Sequence, residues 1–181
     1  MKNRIYLSMA FIFIYFVALG FAQQNNKLIT PSIINNLISD GSRTSLYKVG
    51  VAYETGNGIK KDLRTALKWY YAAAVKGSVD AHYAIWSLWE EASMSNIDFP
   101  FPSSQFDKSR KLAIEGYEHI SHNAKNPELF YRLGLLYDPG VGVDEPEAQI
   151  SEKYLTKAAN MGHKEAKDLL KFKRDFEFGR E

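Results

Sequence analysis

Residues 45–77 read SLYKVGVAYETGNGIKKDLRTALKWYYAAAVKG, and this stretch carries the clearest structural pattern of the chain. Gly56 and Gly58 lie at its middle, where their missing side chains permit a tight turn between two helical halves. Gly50 lies inside the first half, where a glycine lowers helix propensity and is explained if a neighbouring helix approaches closely. The second half carries small and aromatic residues at helical spacing: Ala66, Trp69, Ala73 and Ala74. The stretch therefore predicts one helix–turn–helix unit, with helix A before the turn and helix B after it.

A second copy of the pattern lies near the C-terminus, at Gly134, Tyr137, Gly140, Gly142, Tyr154, Ala158, Ala159 and Gly162. Recurring helical hairpins are typical of solenoids, in which each unit packs on its neighbours. Between the two copies, residues 80–124 keep the register, but Trp86 stands where Gly50 stands in the first copy. In the same region, residues 92–104 replace the short turn. We therefore interpret it as a degenerate middle repeat with an insertion.

The repeated pattern resembles that of the Sel-1-like repeat family, a relative of the tetratricopeptide repeats. The first copy matches at Val49, Gly50, Tyr53, Gly56, Gly58, Ile59, Asp62, Ala66, Trp69, Ala73, Ala74 and Gly77. The second matches at Leu133, Gly134, Tyr137, Gly140, Gly142, Val143, Tyr154, Ala158, Ala159 and Gly162. Ser45 and Leu129 replace the opening Ala of the family pattern, and the later copy carries one extra residue in its turn or helix B. The resemblance implies a right-handed α-solenoid that works as a scaffold or adaptor, with helix A of each repeat lining a concave groove.

The sequence predicts an all-α chain of about three such repeats between two capping helices. Pro31 favours a helix start and Gly41 a helix stop. The predicted segments are a signal peptide at 1–22, a polar linker at 23–30, a cap at 31–41, repeats at 44–77, 80–124 and 127–162, and a cap helix at 164–178. Caps are expected because the end of a solenoid otherwise exposes an apolar face.

The N-terminus has the layout of a signal peptide. Lys2 and Arg4 precede residues 5–19, which are almost wholly apolar, and Gly20 and Ala22 then supply small residues. This layout predicts cleavage after Ala22 and export to the periplasm or the extracellular space, with no membrane attachment afterwards. The alternative is a retained anchor that tethers the repeats to a membrane, because the apolar segment is near the lower length limit for a spanning helix.

Composition excludes several kinds of site. The chain has no cysteine, so it has no disulfide, no thiolate metal ligand and no cysteine nucleophile. The full chain carries 23 basic and 21 acidic residues, and without the predicted signal peptide, which contains Lys2 and Arg4, 21 of each remain. This balance does not favour a nucleic-acid binder, which is expected to carry a basic stripe.

Candidate partner-binding residues follow from tetratricopeptide geometry, which places three positions of each helix A in the groove. We call these nine residues the predicted groove: Tyr47, Val51, Glu54, Tyr83, Ser87, Glu90, Tyr131, Leu135 and Asp138. They form a column of three tyrosines and a column of three acids. Tyrosine suits recognition because it buries a large area and keeps a polar tip, and acids favour a partner bearing Lys or Arg. The alternative is that the tyrosines only pack between helices and the acids are solvated.

Two other segments are candidate sites. Phe99 and Phe101 lie between prolines in the insertion and predict either a rigid docking loop or a plug that folds back onto the degenerate repeat. Glu115, His119 and His122 fall on one helical face, but three weak ligands from one helix favour an exposed surface over a metal site. We predict no metal and no cofactor.

The preferred hypothesis is a non-enzymatic, exported adaptor that binds a protein or peptide of unknown identity. No G-x-S-x-G, Walker or paired-carboxylate arrangement is present. The alternative from another class is an enzyme acting on cell-wall material or β-lactams. It rests on family association alone, and the family members concerned are rich in cysteine, which this chain lacks.

Overall fold

A computed structural model describes residues 29–95, 102–138 and 145–178. These residues form eight α-helices and no strand. The helices are α1 (Pro31–Asp40), α2 (Arg43–Thr55), α3 (Leu63–Val75), α4 (Val79–Ser95), α5 (Ser103–Ser121), α6 (Pro127–Leu136), α7 (Glu145–Asn160) and α8 (Lys164–Phe178). The fold is therefore all-α and of the helical-repeat solenoid type, as the sequence predicts.

Side-chain hydrogen bonds cap the starts of α3 and α6. The Asp62 carboxylate accepts from the backbone N–H groups of Arg64 and Thr65, at 3.0 and 3.1 Å, where α3 begins. Asn126 accepts from the N–H of Glu128 at 3.1 Å, and Pro127 is the first residue of α6. These caps satisfy N–H groups that have no partner within their helix, which fixes where each helix begins.

The described residues divide into an N-terminal unit, up to residue 113, and a C-terminal unit, from residue 114 onward. In the N-terminal unit, α2 packs on α3 and α3 packs on α4. One apolar cluster is centred on Leu67, Tyr70, Ile85, Leu88 and Phe106, all with almost no exposed surface. In the C-terminal unit, α6 packs on α7 and α7 on α8. Its buried core includes Phe130, Leu133, Leu136 and Leu155.

Both clear repeats bring helices A and B together at the mid-helix glycine. A Cβ atom on Gly50 would lie 2.5 Å from Cδ1 of Tyr70, and one on Gly134 would lie 2.6 Å from Cδ2 of Leu155. Real Cβ atoms do not approach other atoms so closely, so only glycine fits without a shift of the partner. The predicted reason for these glycines, a close helix approach, is confirmed.

The structure changes three details of the sequence interpretation. α4 continues to Ser95 and buries Ala92, so the first part of the predicted insertion is helix, because the apolar face of α4 extends that far. The helical spacing of Ala113, Tyr117 and Ile120 predicts that all three point inward, but Ile120, near the end of α5, is 49% exposed. Ile29 packs against a small core cluster and Thr30 caps α1, so these two residues belong to the fold and not to the predicted linker.

Several predictions lie outside the described residues: the signal peptide at 1–22, the glycine turn at Gly140 and Gly142, and the phenylalanines of the insertion. Within the described ranges, no helix combines the length and apolar composition that a bilayer crossing requires.

Candidate partner-binding surface

In repeat one, the buried side chain of Tyr70 contacts two residues of the predicted groove. The Tyr70 ring packs on the half-buried ring of Tyr47 with a centroid distance of 5.4 Å and a tilt of 36°. Its hydroxyl donates a hydrogen bond to the carboxylate of Glu54. Val51 is half-buried against the same core cluster. The Tyr47 ring and the Glu54 carboxylate are therefore held by one core residue, Tyr70, on helix B.

In repeat two, Trp86 contacts a groove tyrosine and a groove acid, as Tyr70 does in repeat one. Its ring lies 5.7 Å from that of Tyr83, tilted by 56°, and its indole N–H donates to the carboxylate of Glu90. Tyr83 and Ser87 are half-buried, whereas Trp86 is buried. A core aromatic residue thus links the groove tyrosine to the groove acid in two successive repeats.

Glu90 has an unusual protonation behaviour. Burial raises its pKa from 4.5 to about 7, and the charge of Asp107 adds to this effect. The Arg110 charge and the Trp86 hydrogen bond oppose the rise but do not cancel it. Glu90 is therefore an acid that takes up and releases a proton near neutral pH.

In repeat three, the predicted groove positions are less available. Tyr131 is 3% exposed and stacks on the His163 ring at 4.4 Å, and Leu135 is 5% exposed. Asp138 forms an ion pair with Lys173 of α8. Two of these three side chains therefore offer little surface to a partner, and the third is paired with a residue of the same unit. Whether any of the nine positions binds a partner stays a prediction.

The structure also contains a buried polar network that the sequence interpretation missed. His163 lies 2.9 Å from Glu128 through Nε2 and 3.2 Å from Glu165 through Nδ1. Burial alone would raise the pKa of Glu128, but the His163 hydrogen bond and the Arg132 charge outweigh it and hold that pKa below its usual value. The network joins residues 35 positions apart, so no local motif could have predicted it.

A second missed cluster centres on Glu118. Its Oε1 accepts from the hydroxyls of Tyr137, at 2.7 Å, and Tyr154, at 3.3 Å, and the two rings stack 5.9 Å apart. Burial, together with the Glu118 carboxylate, raises the pKa of both tyrosines. The sequence interpretation treated both tyrosines as repeat markers and gave no role to Glu118.

The remaining histidines do not form a metal centre in the described residues. Three side chains on α5 or just after it are exposed: Glu115, His119 and His122. Within the described ranges, no group of three potential metal ligands converges. His82 is half-buried; burial, aided by the Lys108 charge, lowers its pKa. Its Nδ1 atom is enclosed without a hydrogen-bond partner among the described atoms.

Comparisons with known proteins agree with the repeat pattern. The Sel1 repeat family matches residues 44–78 and 131–163. A curated relative, Activator of C kinase protein 1 of Saccharomyces cerevisiae, is 24% identical over 151 residues. That match covers 77% of this chain but only 24% of the yeast protein, so the chain spans about a quarter of its length.

Solved structures with a similar fold include a protective antigen present in uropathogenic Escherichia coli strains that displays an SLR fold. It matches 88% of this chain and 30% of its own, with a TM-score of 0.51 and 16% identity. A Sel1 repeat protein from Oxalobacter formigenes matches 71% of this chain and 48% of its own, with a TM-score of 0.43 and 24% identity.

Sel1 repeat proteins generally mediate protein–protein interactions, and this scaffold is generally non-catalytic. Two matched repeats, each built around a glycine that admits the neighbouring helix, identify this chain as a Sel1-like repeat protein.

Proposed function

We propose that this chain is an exported adaptor that binds a protein or peptide partner through the helix A residues of its first two repeats. The binding residues would be Tyr47, Val51, Glu54, Tyr83, Ser87 and Glu90. Tyr131 and Leu135 are left out because they are buried. Asp138 remains a candidate at the edge of the third repeat.

The observation that carries this proposal is the repeated pairing of a half-buried tyrosine with an acid through one core aromatic residue. Tyr70 contacts both Tyr47 and Glu54, and Trp86 contacts both Tyr83 and Glu90. A side chain that is already held in place loses little conformational entropy when a partner binds. Tyrosines of this kind are common at the energetic centre of protein interfaces.

The acids favour a partner that presents Lys or Arg. Glu54 accepts a hydrogen bond from Tyr70, and a carboxylate can accept several hydrogen bonds at once, including those of a cationic partner. Glu90 is partly protonated at neutral pH because its pKa is about 7. A bound cation would favour the ionised form of Glu90, so binding would be coupled to release of a proton.

Binding is tested by affinity capture from the native envelope fraction with the immobilised chain. The test variant carries Tyr47→Ala and Tyr83→Ala, and circular dichroism verifies that it is folded. The matched control is Tyr71→Ala, which removes a tyrosine of helix B in the same unit that is also half-buried. We expect a partner that the wild type and the control retain and that the double variant binds at least about tenfold more weakly, which equals about 1.4 kcal/mol.

Two other outcomes would contradict partner binding through the predicted groove. A partner that the double variant retains would place the contact on another surface, and capture of no specific partner would remove the support for an adaptor. Export is tested separately, by the mass of the protein isolated from its native host. A chain that begins at Gln23 supports export with cleavage, whereas one that begins at Met1 supports the tethered alternative.

A further inference from the structure

His163 lies in the turn between α7 and α8, where it caps the start of α8. Its Nδ1 atom accepts a hydrogen bond from the backbone N–H of Ala166 at 3.3 Å, and its Nε2 atom lies 2.9 Å from Oε2 of Glu128. Because Nδ1 acts as the acceptor, the proton of the neutral ring is on Nε2 and is donated to Glu128. The side chain is buried, so water does not replace either bond easily.

Ser78 is the counterpart of His163 in the first repeat. Each follows the glycine that ends its repeat, each is buried, and each accepts from the N–H three residues later. In Ser78 the acceptor is a hydroxyl oxygen, 3.2 Å from the N–H of Ala81. A hydroxyl oxygen keeps this role at every physiological pH. An imidazole nitrogen loses it when it is protonated, and imidazole is the side chain that titrates near neutral pH.

A second hydrogen-bond acceptor lies beside Nδ1. Oε2 of Glu165, in the first turn of α8, lies 3.2 Å from Nδ1. In the neutral ring this pair has no proton to share, because the lone pair of Nδ1 is directed to the Ala166 N–H. In the protonated ring, Nδ1 carries a proton and can donate it to Glu165.

Charged, aromatic and backbone groups from three helices also surround the His163 ring. From α6, Glu128 shares its carboxylate with Arg132 at 2.6 Å, and the Tyr131 ring stacks on the imidazole. Arg132 donates to the hydroxyl of Tyr117 of α5 at 2.9 Å. From α7, the carbonyl of Ala158 accepts from the backbone N–H of His163. The imidazole therefore faces two carboxylates, of which one is already paired with a guanidinium.

We propose that His163 is a proton-operated cap: protonation switches Nδ1 from accepting the Ala166 N–H to donating to Glu165, and this uncaps the first turn of α8. The neutral state holds the terminal helix by a cap, as Ser78 holds α4. The protonated state holds it by an ion pair to the Glu165 side chain and leaves the Ala166 N–H without its acceptor. The device is independent of the proposed adaptor function, since it requires only residues of the C-terminal unit.

The test is nuclear magnetic resonance of the full chain labelled with nitrogen-15, followed from about pH 8 to about pH 5, the range in which imidazoles titrate. We expect a neutral ring with its proton on Nε2, and an Ala166 amide signal that moves in the same step as the ring nitrogens. In His163→Ser, which copies the cap of the first repeat, the Ala166 step should be lost. In Glu165→Gln, which weakens the acceptor of the protonated state, the step should move to lower pH.

Three results would overturn the proposal. The first is a neutral ring with its proton on Nδ1. The second is an Ala166 signal that stays fixed while the ring titrates, and the third is a ring that does not titrate in this range. All three are read from the wild-type chain, so they do not depend on whether a variant folds.

Discussion

Gly134 of α6 lies directly against Leu155 of α7, with no room between them for a side chain. A Cβ atom on Gly134 would lie 2.6 Å from both Cγ and Cδ2 of Leu155 and 3.3 Å from its backbone nitrogen. The first repeat has the same relationship between Gly50 and the ring of Tyr70. Gly134 precedes its partner by one residue more than Gly50 does, which matches the extra residue in the third repeat. The close approach is therefore a property of the repeat and not of one helix pair.

Gly134→Val should destabilise the protein because it forces extra atoms into this contact. Overpacking of a well-filled core costs about 1–3 kcal/mol, and we expect a loss in that range. The free energy of unfolding is measured by urea denaturation. An unchanged unfolding midpoint would show that α6 and α7 separate at little cost.

Leu155→Ala provides the control for this interpretation. Alone it leaves a cavity and should cost about 2–5 kcal/mol. Combined with Gly134→Val it removes the side chain that clashes, so the double variant should lose less than the sum of the two single losses. Strictly additive losses would mean that the valine clashes with something other than Leu155.

Glu90 should make the stability of the N-terminal unit depend on pH. Its pKa is about 7 in the folded protein, above its ordinary value of 4.5, so the folded protein holds a proton that the unfolded chain releases first. Stability should therefore fall as the pH rises from about 4.5 to about 7 and stay lower above that range. Glu90→Gln should remove this dependence while its amide oxygen still accepts from Trp86.

The expected gain of Glu90→Gln at about pH 8 is on the order of 1–3 kcal/mol, from 1.36 kcal/mol for each unit of pKa shift and a reduction for partial exposure. At about pH 4 the two proteins should be equally stable, because Glu90 is then protonated in both states, and this serves as the internal control. Unfolding curves of the wild type and of Glu90→Gln at the two pH values test this prediction. A variant no more stable than the wild type at the higher pH would contradict the burial of the Glu90 charge.

The architecture was predictable from the sequence because its signals are local. Pro31 and Gly41 lie at the predicted start and end of α1. Each of three further residues caps the helix that follows it: Asp62, Ser78 and Asn126. The last helix occupies the predicted range, Lys164–Phe178. Hydrophobic periodicity gives the wrong burial or the wrong helix boundary where a helix end depends on tertiary packing. Examples are the exposed Ile120 and the extension of α4 through Ala92.

The polar networks were not predictable, because their members are far apart in sequence. His163 and Glu128 are separated by 35 residues, and Glu118 and Tyr154 by 36. The sequence also does not predict which residues of the predicted groove are exposed. Analogy assigned the same role to Tyr47 and Tyr131, but only the burial of each side chain distinguishes them, and burial depends on the neighbouring helices.

This difference in burial predicts unequal costs for two equivalent substitutions. Tyr131→Ala removes a side chain that is 3% exposed and stacked on His163, so it should cost about 3–5 kcal/mol. Tyr47→Ala removes a half-buried ring that rests on Tyr70 and should cost clearly less. Urea denaturation of the two single variants gives the comparison. Equal losses would mean that the Tyr47 ring is as important to the core as the Tyr131 ring, and Tyr47 would then be a poor candidate for partner binding.

Tyr137 and Tyr154 should contribute unequally through their shared acceptor, Glu118. The Tyr137 hydroxyl is 2.7 Å from Glu118 Oε1, whereas that of Tyr154 is 3.3 Å away, and short hydrogen bonds to a charged acceptor are the stronger ones. Tyr137→Phe should therefore cost about 1–2 kcal/mol and Tyr154→Phe less, since both phenols are partly exposed. Each substitution keeps its ring and hence the stacking between the two.

The same pair of substitutions in a Glu118→Ala background separates the hydrogen bonds from other effects. Without the carboxylate, both Tyr→Phe changes should cost close to nothing, and the difference between backgrounds gives the coupling energy of each pair. The coupling to Tyr137 should exceed that to Tyr154. If Tyr137→Phe costs as much without Glu118 as with it, the hydroxyl stabilises the protein through another group, and Glu118 does not connect α5 to both helices of the third repeat.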